Sequence, residues 1–284
     1  MAASAGWRPP KLLRLWGAHA RMDVLFLSRS LHTGLAWYFA DVLLALSNAV
    51  WAFLLAARFD GIGPWSRHQI VFLLGLALLV RGVVDLVFNM NIGFPSRRIG
   101  RGQLDHLLLM PQPLWQSLAS DGFTPVSGSG QFLVSVGVVV WATRALALPV
   151  DPTWLALLLL HVLAGAAILL AFAYLWGSLA FVAPRGAEEI NSSSNRLLEQ
   201  LKPFPLDGVG AWLCGGLLSA VPAGFLAWLP ARVLLGLETR PWAWLWTPAA
   251  ALGFAALATL VFRRGMRHYA RTGSARYLSH GHRR

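Results

Sequence analysis

The chain carries successive runs of about twenty apolar residues divided by short polar stretches, and no other feature constrains its fold as tightly. A hydrocarbon core about 30 Å thick is crossed by roughly 20 helical residues. Inside that core only a helix or a closed barrel satisfies every backbone N–H and C=O. The runs at 35–57, 70–88, 131–150, 154–182, 209–229 and 242–262 predict six transmembrane helices. Composition agrees, with 56% hydrophobic and 13% charged residues over 284 positions and a mean hydropathy of +0.56, where a soluble domain is about 25% charged. The expected fold class is an all-α membrane protein.

Ahead of the first run, 8–33 predicts an amphipathic helix lying in the membrane interface. Lys11, Arg14, Ala18, Arg21, Leu25, Ser28 and His32 recur at spacings of three and four, opposite Leu12, Leu13, Trp16, Ala20, Val24, Leu27 and Leu31, with Asp23 the exception. Packing on a soluble partner is the alternative use of such a helix. Lys11, Arg14, Arg21 and Asp23 also interrupt any h-region, so the segment does not read as a cleaved signal.

The intervening segments differ in character. Arg58, Asp60, Gly61, Gly63 and Pro64 predict a turn. The polar stretch 91–121 holds Arg97, Arg98 and Arg101, then a short helix interrupted by Pro111 and Pro113. The run 154–182 exceeds the thickness it must cross, so it should tilt or project. The stretch 184–207, with Glu188, Glu189, Asn191, Arg196, Glu199 and Lys202, reads as a polar loop, and Pro222 among Gly215, Gly216 and Gly224 permits a kinked or re-entrant fifth segment. No internal repeat is visible, which argues against an inverted-repeat secondary transporter.

A net charge of +12 would suggest nucleic acid in a soluble protein, but its distribution follows topology. Eighteen of the 24 Lys and Arg residues fall on the side of the termini and five on the other, which places both termini in the cytoplasm and makes 263–284 a basic cytoplasmic tail. Trp65, Trp154, Trp228, Trp242, Trp244 and Trp246 fall at the opposite ends of the spans, as interfacial anchors do. No nucleic acid is needed to explain the charge.

Catalytic patterns are sparse. No HExxH or GxSxG occurs, Ser192 to Ser194 have no nearby His, and His280 and His282 belong to the arginine-rich tail, so neither a catalytic residue nor a metal site is expected. The single cysteine, Cys214, lies in an apolar run and reads as a free core thiol. Only Lys11 and Lys202 are lysines, and neither has the flanking Gly and Ser or Thr of a phosphate loop, so the chain binds no nucleotide cofactor by that motif. Charges inside spans are costly and mark function. Asp41 shares a face with Asn48 in the first span, and Arg81, Asp85 and Asn89 recur every four residues in the second. Asp41, Asn48, Arg81 and Asp85 are candidates for a substrate pathway. A helix-pairing or snorkelling role is the alternative for Arg81 and Asp85.

The stretch Gly102, Leu104, Asp105, Leu108 and Pro111 resembles the G-x-L-D-x-x-L-x-x-P signature of ABC-2 type permeases in the viologen-exporter-like subfamily. A second match is Phe204-Pro205-Leu206-Asp207 followed by Val221-Pro222-Ala223-Gly224-Phe225 and Leu229-Pro230-Ala231-Arg232-Val233-Leu234-Leu235-Gly236. Met110 departs from the pattern, which commonly carries a basic residue before the proline. The resemblance implies six spans and cytoplasmic termini in a bacterial inner membrane. It also implies a second ABC-2 permease, identical or related, and two ABC ATPase subunits holding ATP and Mg. The N-terminal helix and 91–121 would then be coupling elements, with Arg98, Arg101, Asp105 and His106 as candidate contacts, lipid-headgroup binding being the alternative for the arginines. The implied activity is export of a hydrophobic small molecule or drug, cationic if Asp41 meets it. Rival readings are an intramembrane lipid-modifying enzyme, which would need polar groups converging at one depth, and a passive channel subunit, which would need a filter motif.

Overall fold

The computed structural model describes residues 11–59, 63–92 and 95–273. Expectations for 8–10 and 274–284, and for the side chain of Asn48, lie outside the described residues. Every regular element among the described residues is helical. They are α1 (Lys11–Arg29), α2 (Leu31–Phe59), α3 (Arg67–Phe88), α4 (Pro95–Gly100), α5 (Gln103–Leu108), α6 (Leu114–Ser120), α7 (Ser129–Ala145), α8 (Pro152–Gly177), α9 (Pro184–Leu201), α10 (Ala211–Ser219), α11 (Ala223–Leu226), α12 (Trp228–Leu234) and α13 (Trp246–Thr272).

Helix starts follow local chemistry. At α3 the Ser66 hydroxyl accepts from the Gln69 amide and the Gln69 side chain accepts from the Ser66 amide, a capping box. At α8 the Asp151 carboxylate accepts from the Trp154 amide at 2.7 Å, with Pro152 in the first turn.

Central in the bundle is α3, buried along most of its length and packed against α2, α7 and α8, while α13 lies on the far side of α8. It runs antiparallel to α7, because a Cβ on Gly75 would meet Val138 and Val139 and one on Gly82 would lie 2.7 Å from Phe132 Cα. α2 runs parallel to α7, with Asp41 beside Gly130 and Phe53 against Trp141. α8 runs parallel to α3, since Phe72 meets Trp154 at one end and the Tyr174 hydroxyl donates to Asn91 Oδ1 at the other. α13 runs parallel to α8, with Phe262 on Tyr174 and Tyr269 on Phe181. The molecule thus has a Trp65 end and an Asn91 end, and α4, α5, α6 and the start of α9 cluster at the latter around Ile99, Leu104, Phe181, Ala187 and Tyr269.

Among the described residues three helices are long and apolar enough to cross a membrane, Arg67–Phe88, Pro152–Phe181 and Ala243–Thr272, and the bent pair Ala211–Ser219 with Ala223–Leu234 would be a fourth. The run 35–57 lies within the 29-residue α2, part of whose side chains are outside the description. The third run, 131–150, is helical only to Ala145 in a 17-residue α7. The sixth, 242–262, continues as helix to Thr272, so the first part of the expected tail is a helical extension.

One expectation is corrected, and the kinked or re-entrant alternative for 209–229 takes a definite form. The segment 184–207 is not a loop: α9 occupies 18 of its residues. Near its end Glu199 meets Arg81, while Asp207 accepts from Trp65 Nε1, and the 14 residues from Arg67 to Arg81 rise about 20 Å along α3. The chain between Glu199 and Asp207 therefore climbs most of α3, from the Asn91 half to the Trp65 end. In consequence 209–229 is not a straight fifth helix. Leu217 and Ala223 reach the core beside Val84 and Phe172, and α11 and α12 return to the Trp65 end, where Trp154 Nε1 donates to the Leu234 carbonyl at 3.0 Å. The second arm is bent 67° away from the line of the first across the break that ends at Pro222. Gly224 packs where a Cβ would lie 2.7 Å from Leu206 and Leu218, which is why this hairpin closes on itself.

Candidate functional site

A cavity of about 830 Å³ runs along α3, walled by α2, α7, α9 and residues 202–205. Ile70, Leu74 and Ala77 make its upper wall apolar, toward the Trp65 end, whereas Asp41, Arg81, Asp85, Glu199 and Lys202 line its other half. The structure therefore brings together Asp41, Arg81 and Asp85, which the sequence singled out on two separate helices, and adds Glu199 and Lys202 from a third.

The charges are partnered unequally. Arg81 Nε sits 2.9 Å from both Asp85 oxygens, and its NH1 lies 3.4 Å from Glu199 Oε1. Lys202 Nζ lies 2.6 Å from Glu199 Oε2, with only 5% of its side chain exposed. Mutual pairing is what makes such burial tolerable, because an isolated ion away from water costs several kcal/mol. Asp41 differs: it accepts a backbone hydrogen bond from Gln131 and forms no ion pair among the described residues. It faces the cavity as the one carboxylate of this group outside an ion pair, and Arg196, exposed on α9, is the one cation of the same lining outside an ion pair among the described residues.

The second set of candidates separates. Arg98 turns inward, 7% exposed, pairing with Asp121 and reaching Asn91 Oδ1 at 3.4 Å. It joins α4 to the loop after α6 instead of presenting itself at the surface. Asp105 accepts from the Tyr269 hydroxyl at 2.5 Å, which ties α5 to the extension of α13. Arg101 is exposed and lies 3.6 Å from Glu188, and His106 is exposed beside Leu108 and Leu109, the latter 84% exposed. Met110 is half-buried, its sulfur 3.7 Å from Gln112 Nε2.

Two further anchors escaped sequence reasoning. Asp207 accepts from Trp65 Nε1 at 2.5 Å and Trp228 Nε1 at 2.6 Å and pairs with Arg232, which also meets Glu238 at 3.2 Å. Asp23, the misfit of the amphipathic pattern, is 7% exposed and accepts from the Val126 and Ser127 amides and the Ser127 hydroxyl. Nearby, Trp16 Nε1 donates to the Ala119 carbonyl and its ring stacks on Phe123. The signal for Asp23 was its position on an apolar face, where a charge survives only with partners. For Glu199 and Lys202 the spacing of three was visible, but the identity of the third partner was not. Among the described residues no group of His, Cys, Asp or Glu is arranged to hold a metal ion.

Long apolar helices packed around a central helix mark a multi-pass membrane protein, with a charged cavity inside the bundle. The family model for ABC-2 family transporter proteins matches residues 42–273, and the chain belongs to that family. It is accordingly a membrane component of an ABC transporter, a kind that works with ABC ATPase subunits and is not generally catalytic itself. No curated protein and no solved structure matched the chain.

Proposed function

We propose that the chain is the permease subunit of an ATP-driven exporter that moves hydrophobic cations outward across a bacterial inner membrane. In this reading α2, α3, α7, α8 and α13 supply five crossings, and α9 with the non-helical climb to Asp207 supplies the other. The hairpin α10 to α12 dips in from the outer side. Both termini then face the cytoplasm, as the charge bias expects. The complex comprises two permeases, alike or related, and two ATPase subunits that carry ATP and Mg. The viologen-exporter-like resemblance of the Gly102 to Pro111 and Phe204 to Asp207 motifs supports the outward direction and the substrate class.

The observation that carries the reading is Asp41. It lines the cavity outside any ion pair, while Arg81 and Lys202 are already paired with Asp85 and Glu199. The lining charges balance, because Arg196 also borders the cavity, but a carboxylate outside any ion pair below an apolar wall offers a hydrophobic cation a partner that it would not offer an anion. Coupling to ATP needs ATPase contacts that differ between inward-facing and outward-facing states. Of the coupling candidates, exposed Arg101 and His106 with Leu108 and Leu109 are placed to touch an ATPase, while Asp105 and Arg98 hold that surface to the bundle.

The test is a resistance assay with a lipophilic cation in cells carrying this permease and its ATPase. Asp41→Asn keeps the side-chain volume and removes the charge, and it is expected to lose protection at unchanged membrane abundance. Equal protection by variant and wild type overturns the reading.

A further inference from the structure

A second cleft, of about 570 Å³, opens on the opposite side of the bundle, between α6, α8 and α13 near the Asn91 end. Its walls are largely apolar: Ala167 and Ala171 on α8 and Ala255 and Ala258 on α13 line it among larger side chains such as Leu170 and Phe262, with Trp115 of α6, 60% exposed, also in the lining. Arg263 closes the lining. Beyond it Arg264, Arg267 and Arg271 follow on the same helix, all four arginines are exposed, and none forms an ion pair among the described residues.

We infer that this cleft is a binding site for an anionic phospholipid of the cytoplasmic leaflet, one acyl chain lying against the alanines and the headgroup phosphate held by Arg263 and Arg267. The inference rests on the reading that the Asn91 end faces the cytoplasm. Alanines on both walls let a chain approach the helix backbones closely. A basic cluster at the inner end of a helix pair supplies the complementary charge that no protein carboxylate meets. Arg263 borders the cleft directly and Arg267 lies one turn on, so the headgroup and chain sites are continuous. α6 forms one wall, so an occupant would bear on the same region that carries α5 and its exposed surface.

The experiment uses the full chain reconstituted in phosphatidylcholine vesicles containing a fixed fraction of phosphatidylglycerol or phosphatidylcholine brominated on the acyl chains. Subtracting the tryptophan fluorescence of Trp115→Phe isolates the signal from the cleft. Brominated phosphatidylglycerol is expected to quench that signal with an apparent affinity about fivefold higher for each arginine engaged. Arg263→Gln with Arg267→Gln should equalise the two lipids, Arg263→Lys should keep the preference, and Ala255→Leu should reduce quenching by both. Equal quenching of the wild type by the two lipids overturns the proposal. So does a preference that survives the double glutamine variant, or quenching that Ala255→Leu leaves undiminished, which would mean headgroups gathering at the surface. The readout involves no transport, so it stays interpretable if the exporter reading fails through Asp41.

Discussion

Trp65 Nε1 donates to Asp207 Oδ2 at 2.5 Å across 142 residues of sequence. This contact holds the chain after α9 against the far end of α3. Trp228 and Arg232 converge on the same carboxylate, so one side chain joins the α3 start, the climb from α9 and the returning arm of the hairpin.

Removing that charge should loosen all three at once. Asp207→Asn leaves the half-buried Arg232 guanidinium with Glu238 as its remaining carboxylate, and a loss on the order of 3 kcal/mol is expected. Trp65→Phe deletes a single donor and should cost about 1–2 kcal/mol. Thermal unfolding in detergent, followed by near-ultraviolet circular dichroism, ranks the two. An Asp207→Asn protein as stable as wild type would show that the carboxylate is not the anchor.

Glu199 sits between Arg81 and Lys202. Glu199→Gln strands the buried Lys202 ammonium and should destabilise by about 3–5 kcal/mol, the range for breaking one half of a buried pair. Replacing both, Glu199→Leu with Lys202→Met, removes the stranded charge while Arg81 keeps Asp85. The double variant should therefore recover most of the loss. Denaturant unfolding of the two proteins decides the matter, and a double variant no more stable than the single one would sink this account of the cluster.

Asp23 clips α1 to the loop before α7. Asp23→Ala leaves two amides and a hydroxyl without that acceptor, at a cost of about 1–3 kcal/mol. The effect should stay local. Hydrogen exchange is expected to accelerate across α1 and at Val126 and Ser127, and to be unchanged in α3. Uniform exchange in variant and wild type would place the anchoring of α1 in Trp16 alone.

How far the site was legible depended on how local its cause was. Asp41, Arg81 and Asp85 stood out because a charge inside an apolar run is anomalous wherever the run packs. Their meeting on one cavity was not readable, since it depends on α2 and α9 both lying against α3. Glu199 sits in a polar stretch where a charge is unremarked by any hydropathy pattern, and only Arg81 across the bundle makes it part of the site. Arg98 went the other way: a basic residue in a basic segment reads as surface, yet Asp121 and Asn91 draw it inside.

The same division holds for the whole chain. The sequence by itself determined the class, the positions of α3, α8 and α13 and the charge bias between the ends, because hydropathy sums over neighbours in the chain. Only the tertiary structure decided the course of 184–229. α9 is too polar to declare itself an element of the bundle, and it is accepted there because Ser96, the Ile92 carbonyl and Arg81 meet its Asn191, Asn195 and Glu199. The segment after it is as apolar as a span, but it bends by 67° at the break before Ala223, and Asp207 ties its second arm to the Trp65 side through Trp228 and Arg232. Partners supplied from a hundred residues away set those paths, and no local pattern encodes them.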